Sequence, residues 1–164
     1  MVKKLIAICL LILSVFALSA CGNQPKEAET TAYTEVPPAE RMALSDLVSS
    51  VIPDAGDLVS FDEEDLTDIL GIEPEEYTEF VYLQENGLSG REILALRAVD
   101  ADAAGRIAQR LENYLEQRRK ETRNYAPEAY QLLAAAKVET KNLTVALVSG
   151  ENAAQERAQL LAGE

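Results

Sequence analysis

The hydrophobic pattern divides the chain into three parts. Apolar residues dominate one run, Leu5 to Ala20, are nearly absent over residues 22–38, and then recur in short periodic groups. The first run has 16 residues, fewer than the roughly 20 that a membrane-spanning helix needs. The polar stretch cannot offset the entropy cost of ordering. The pattern therefore predicts a leader over residues 1–20, a disordered tether over residues 21–38 and one domain over residues 39–164.

Several segments of that domain show the spacing of amphipathic helices. The spacing predicts a first helix that ends before Pro53, a short helix from Asp62 to Leu70, and a closing helix from Asn152 to Leu161. Pro127 favours the first position of a further short helix. The longest apolar stripe predicts a long helix and consists of Ala104, Ile107, Ala108, Leu111, Tyr114 and Leu115.

β-Branched and aromatic residues predict four strands. These strands cover residues 79–83, 92–99, 137–140 and 143–149, and turn residues follow the first strand at residues 86–90. The order of helices and strands along the chain indicates an α+β fold. We therefore predict a small, mostly antiparallel four-stranded sheet, with the long amphipathic helix packed on one face and shorter helices around it.

The end of the apolar leader predicts where the protein is located. Lys3 and Lys4 precede the apolar run, and Leu18-Ser19-Ala20-Cys21 ends it, which is the order of an export signal. A leucine, two small residues and a cysteine resemble the lipobox of bacterial lipoproteins. The resemblance implies that Cys21 carries a diacylglyceryl group and holds the mature protein at the outer face of the cytoplasmic membrane. Ordinary secretion and an uncleaved anchor are the alternatives.

The domain has a resemblance of its own. A Gly-Ile-x-Pro turn lies at residues 71–74, an Ala-Pro-Glu-Ala-Tyr stretch lies at residues 126–130, and a strand pair follows. With the lipobox and the acidic tether, these features resemble a family of uncharacterised lipoproteins from Gram-positive bacteria. The resemblance covers residues 60–160 and implies an extracytoplasmic domain of similar shape. That family has no assigned activity, so the resemblance implies no reaction.

Missing residue types exclude several kinds of chemistry. The chain has no histidine, and it has two cysteines, of which Cys9 lies in the leader and Cys21 is the predicted lipid attachment residue. Histidine-dependent nucleophilic catalysis and nearly all zinc sites are therefore excluded. A carboxylate-pair hydrolase is the enzyme class that remains. We expect a protein that is not an enzyme, has no cofactor and binds no nucleic acid.

Acidic residues are concentrated in one half of the domain, and we name residues 35–92 the acidic half. It holds 16 acidic residues against two basic ones, whereas residues 93–164 hold ten of each. Carboxylates in the first turn of a helix complement the helix dipole, and we favour that role. Because carboxylates are also calcium ligands, a calcium site is the alternative. Its candidate ligands are Asp54, Asp57, Asp62 and Asp65.

Arg118 differs from the other basic residues of the long helix. At 100° per residue it lies about 20° from both Ile107 and Leu111, so it continues the apolar stripe. An arginine stem can lie on the core while its guanidinium reaches the rim. We predict an ion pair between Arg118 and a carboxylate of the acidic half. The alternative is an anionic envelope polymer bound by Arg118, Arg119, Lys120 and Arg123.

Two function classes remain after these exclusions. The favoured class is a membrane-anchored, non-catalytic binding or interaction module whose partner is a protein or an envelope component. The alternative is an accessory or receptor subunit of a transporter, which binds a small solute or a divalent cation. A flat apolar or charged face would favour the first class, and a pocket with convergent polar groups would favour the second.

Overall fold

The computed structural model describes residues 41–164, which belong to one compact unit. The predicted leader, the tether and Cys21 lie outside the described residues. The helices are α1 (Leu44–Val51), α2 (Glu63–Asp65), α3 (Ala101–Thr122), α4 (Pro127–Ala135) and α5 (Ala153–Ala162). The strands are β1 (Val59–Ser60), β2 (Tyr77–Gln84), β3 (Glu92–Ala98), β4 (Lys137–Lys141) and β5 (Thr144–Ser149).

The strands form one antiparallel sheet in the order β1-β2-β3-β5-β4. The α+β class and the antiparallel arrangement are therefore confirmed. The predicted number of four strands is wrong, because β1 adds a fifth. Val59 pairs with Gln84, and Ser60 pairs with Leu83. Two residues are too few for the alternation of apolar and polar side chains to appear in the sequence.

Helices cover both faces of this sheet. Leu94 and Leu96 of β3 belong to the core beneath α3, whereas Ile93 and Ala95 belong to a second core beneath α1 and α5. A strand that is covered on both faces is apolar at consecutive positions, and all seven residues of β3 are buried. The predicted position of the long helix on one face describes only half of this arrangement, since α1 and α5 lie against the opposite face.

The ends of the helices follow the polar residues that flank them. Asp100 precedes α3 and accepts a hydrogen bond from the Ala103 backbone N–H at 2.7 Å. Asp62 and Asp65 form a reciprocal capping box at the start of α2. The predicted helix over residues 62–70 is α-helical only in α2 and continues as a π-helical turn over Leu66–Leu70. Gly71 ends it with a φ of 65°, a conformation that glycine adopts at little cost.

No helix between residues 41 and 164 combines the length and the apolarity that crossing a bilayer would require.

Candidate functional site

Arg118 lies on α3 with its guanidinium against Glu92, the first residue of β3. The Arg118 Nε and Nη2 atoms both lie 2.7 Å from Glu92 Oε1. The Glu92 side chain is fully buried, and that of Arg118 is 13% exposed. Glu92 belongs to the acidic half, so this ion pair joins the two differently charged parts of the domain. The pair connects a helix to the sheet, which is a structural role.

Two tyrosine hydroxyls lie beside this ion pair. The hydroxyl oxygens of Tyr82 and Tyr114 are 3.3 Å apart, and Gln84 Nε2 donates to Glu92 Oε1 at 2.8 Å. Burial raises the pKa of both tyrosines above the ordinary value of 10.0. A neutral phenol is a hydrogen-bond donor, and it cannot act as a base near pH 7. The cluster is therefore suited to joining α3 to the sheet and poorly suited to proton transfer.

Arg91 forms a second buried ion-pair cluster on the opposite face of the sheet. Its Nη2 donates to Asp54 Oδ1 at 2.6 Å, and its Nε donates to Asp54 Oδ2 at 2.9 Å. Its Nη1 donates to Glu156 Oε2 at 2.7 Å. The hydrogen bonds from Arg91 hold the pKa of Asp54 below its ordinary value. Both oxygens of Asp54 are therefore occupied by an arginine.

The structure does not bring the four candidate calcium ligands together. Asp62 and Asp65 accept each other's backbone N–H groups in the capping box, at 2.9 and 3.1 Å. Asp54 binds Arg91, and Asp57 ends a short 3-10 turn. Among residues 41–164, no three acidic, cysteine or histidine side chains are placed to hold a metal ion together. Helix capping is the role that the geometry gives to Asp62 and Asp65.

Three of the four basic residues considered for an anionic polymer share one surface groove. Arg119, Lys120 and Arg123 line this groove of about 370 Å³ between α3 and α4. Arg119 is also a cap, because its Nε donates to the Leu133 carbonyl at 2.9 Å and its Nη2 to the Ala136 carbonyl at 2.8 Å. Its guanidinium therefore satisfies the last carbonyl groups of α4.

The outer edge of β2 is only partly covered. β1 pairs with Leu83 and Gln84, and the Phe61 N–H donates to the Tyr82 carbonyl at 2.9 Å. No strand of the described chain pairs with that edge over Tyr77–Val81. Successive residues of a strand direct their backbone groups to opposite edges. The N–H and C=O groups of Phe80 therefore point to the uncovered edge, as the Tyr82 carbonyl does.

A cleft of about 290 Å³ lies along this edge, and we name it the β2 groove. Ser45, Val48 and Ser49 of α1 form one wall, and residues 80–83 of β2 form the other. Phe61 and Ser60 close one end. No local pattern in the sequence predicts this groove, because the groove depends on β1 pairing with only one end of β2.

The chain segment that supplies the β2 groove is acidic. Residues 42–90 hold 13 acidic residues and no lysine or arginine, and every residue that lines the groove lies between positions 45 and 83. Asp46, Asp57 and Asp62 are exposed, and each is the chain neighbour of a lining residue. The groove therefore has serine and apolar side chains in its lining and lies in a segment of strongly negative net charge.

Residues 52–150 match the model of one protein family, Domain of unknown function (DUF4358). The chain belongs to this family. The DUF4358 match covers the whole sheet and the strand wall of the β2 groove, whereas all of α1 and all of α5 lie outside it. The expectation of an uncharacterised domain is therefore confirmed. No curated protein and no solved structure matches the chain.

Proposed function

We propose that this DUF4358 protein is a lipid-anchored, non-catalytic binding module at the outer face of the cytoplasmic membrane, and that it binds a protein partner in the β2 groove. The observation that carries this proposal is the uncovered edge of β2 beside an apolar cleft. An edge with free backbone groups is a surface to which another chain can pair. A groove of this kind also supplies apolar area for binding.

The contacts of the buried charged residues support a role without catalysis. Arg91, Arg97 and Arg118 each donate to at least one carboxylate at 2.7 Å or less. A catalytic acid or base needs a pKa near the working pH and access to substrate. Each of these carboxylates already accepts from an arginine, so we infer that the clusters attach helices and strands to one another.

The anchor is supported by the leader alone. A positive start, an apolar run and the residues Leu18-Ser19-Ala20-Cys21 form a lipoprotein export signal. Two acyl chains on one cysteine hold a protein stably at a membrane, whereas one chain gives marginal binding. The tether of about 17 residues would extend on the order of 23 Å as a flexible coil. That length lets the domain stand clear of the lipid surface.

Labelling with a fatty acid tests the anchor. The unchanged protein and Cys9→Ser should both incorporate label and sediment with membranes, because Cys9 lies inside the leader. Cys21→Ser should incorporate no label and remain an unprocessed precursor, because lipidation needs the thiol of Cys21. Labelling of Cys21→Ser at the level of Cys9→Ser would show that the anchor proposal is wrong.

Photo-cross-linking on intact cells tests the binding surface. Ser49 and Ser50 are neighbouring, exposed residues of α1, and only Ser49 lines the β2 groove. A photoreactive residue at position 49 should give one defined protein adduct, which mass spectrometry can identify. The same photoreactive residue at position 50 should give much less of that adduct. Equal yields from both positions, or no adduct from either, would contradict a binding role of the groove.

One further cavity favours the alternative of a transporter subunit that binds a small solute. It measures about 420 Å³, and Asp54, Arg91, Asn152 and Glu156 line it. Convergent polar groups are typical of small-molecule sites. The Arg91 guanidinium is already bound by the carboxylates of Asp54 and Glu156, so Asn152, Glu85 and Glu151, which also line the cavity, would have to hold the solute.

A further inference from the structure

The β2 groove has features that define the chemistry of its occupant. We propose that it takes an extended, basic segment of a partner protein, which adds a strand to the sheet beside β2. This inference rests on the proposed function, in that it assumes a protein partner for the groove. It adds the conformation and the charge of the segment that binds.

The backbone groups of β2 that pair with no strand among residues 41–164 provide the first reason. An added strand gains affinity from main-chain hydrogen bonds, and pockets for alternate side chains provide specificity. The uncovered stretch, residues 77–81, has five residues, and the register of β2 is irregular between Tyr77 and Glu79. A regular added strand would therefore pair with residues 79–81, on the order of 10 Å at the rise of a strand. Phe80, the fourth of these five residues, presents its N–H and C=O to the uncovered edge. The bond from Phe61 to Tyr82 fixes where the added strand must end.

The contrast between the two edges of the sheet provides the second reason. At the other edge, the β4 side chains Lys137, Glu139 and Lys141 are exposed, and exposed charges of this kind oppose the pairing of edges. The uncovered part of β2 carries one charged residue, Glu79. Its oxygens accept from Arg97 Nη1 at 2.6 Å and from the Leu44 backbone N–H at 2.7 Å. Glu79 is therefore paired within the domain and does not oppose the addition of a strand at the β2 edge.

Charge provides the third reason and selects the partner. The negative charge of residues 42–90 attracts a basic segment and repels an acidic one, and such complementarity affects association rate and specificity most. A second copy of this chain would bring an equally acidic β2 edge. The preceding part of the chain, residues 22–38, holds three acidic residues and one basic residue. Both of these occupants would place like charges together, so a basic segment of another protein fits best.

Peptide binding to the full-length protein in non-ionic detergent tests the inference. The probe is a fluorescent decapeptide in which valine alternates with lysine. The first comparison peptide has glutamate in place of lysine, and the second carries N-methyl groups on alternate backbone nitrogens. We expect the glutamate peptide and the N-methylated peptide each to bind at least about tenfold more weakly than the probe in anisotropy titrations. Equal affinity for all three peptides would overturn the proposal.

Matched variants locate the bound peptide. Ser49→Trp fills the β2 groove from an exposed helix position, and Ser50→Trp adds the same ring outside it. We expect Ser49→Trp to lower the affinity for the probe peptide about tenfold, and Ser50→Trp to leave that affinity unchanged. Circular dichroism of both variants checks the fold. Equal effects of the two variants would place the peptide elsewhere and overturn the inference.

Two further measurements separate the possible occupants. Deletion of residues 23–38 should leave the probe affinity unchanged, and the protein should sediment as a monomer. A large gain in affinity for the probe after the deletion would show that residues 23–38 occupy the groove. Self-association of the unchanged protein that is lost in Ser49→Trp would show that a second copy occupies it. A cross-link at position 49 without peptide binding would overturn this inference while the proposed function stands. Failure of both experiments would overturn both.

Discussion

Arg118 Nε donates a hydrogen bond to Glu92 Oε1 across 2.7 Å, and the carboxylate it neutralises is fully buried. One oxygen of that carboxylate, Oε2, has no hydrogen-bond partner among residues 41–164. A buried charge is costly unless it is paired. The Arg118 guanidinium therefore makes it possible for a glutamate to begin the central strand β3, and the same bond attaches the last turns of α3 to the sheet.

Removal of Arg118 should destabilise the domain far more than removal of its exposed neighbour Lys120. We expect Arg118→Ala to lower the free energy of unfolding by about 3 kcal/mol, because it leaves Glu92 buried and unpaired. Lys120→Ala should stay within about 0.5 kcal/mol. Urea unfolding curves measure both values. Adding Glu92→Gln to Arg118→Ala should recover part of the lost stability, because no buried charge is then left unpaired. Equal, small losses in Arg118→Ala and Lys120→Ala would contradict the structural role of Arg118.

Two glycines in the turn after β2 allow a matched test of close packing. Gly87 and Gly90 both have positive φ, 82° and 78°. A Cβ at position 90 would lie 2.8 Å from the Cα and carbonyl oxygen of Ala129 on α4, whereas a Cβ at position 87 would meet nothing within 4 Å.

Gly87→Ala should therefore cost only the strain of a left-handed residue, about 1 kcal/mol. Gly90→Ala should cost about 1–3 kcal/mol more, because α4 must move. Thermal or urea unfolding of both variants provides the comparison. A loss for Gly90→Ala no larger than that for Gly87→Ala would show that the turn does not contact α4.

Glu76 should stabilise the domain in a pH-dependent way. Burial raises the pKa of Glu76, but hydrogen bonds from Arg106, the Glu73 backbone and Arg110 outweigh this effect and hold it below the ordinary value of 4.5. A pKa lowered by folding contributes stability above the unfolded value, and this contribution is lost as the pH falls through the folded value.

We expect Glu76→Gln to lower the free energy of unfolding by roughly 1 kcal/mol at pH 7, a modest figure because the Arg106 and Arg110 side chains are partly exposed and water screens both pairs. The difference from the unchanged protein should disappear as the pH is lowered through the range below about 4.5. Glu75→Gln changes an exposed neighbour and serves as the control. A difference that persists unchanged at pH 3 would show that the carboxylate charge of Glu76 does not stabilise the fold.

Calcium should have no specific effect on stability. The oxygens of Asp54 are bound by Arg91, and Asp62 and Asp65 cap a helix. Millimolar calcium should therefore shift the melting temperature only by screening, as sodium does at the same ionic strength. Differential scanning calorimetry in both salts measures the two shifts. A saturable rise of several degrees with calcium alone would establish a cation site and make Asp54, Asp57, Asp62 and Asp65 the first residues to substitute.

The sequence determined the elements whose signal is local. The stripe from Ala104 to Leu115 predicted α3, the Pro127 and Asp62 positions predicted helix starts, and β-rich runs predicted β2 to β5. These predictions succeed because the 3.6-residue repeat and the capping chemistry act within a few neighbouring residues. The same repeat placed Arg118 on the apolar side of its helix, although it could not identify Glu92 as the partner.

Only the tertiary structure decided which elements meet. β5 inserts between β3 and β4, and this order buries β3 on both faces and brings Glu92 beneath Arg118. The length of β1 leaves most of the β2 edge uncovered, which creates the groove on which the proposed function depends. Strand order and edge coverage arise from contacts between residues far apart in the chain. A local pattern cannot encode them, because the periodicity of a strand is the same whether its edge is paired or free.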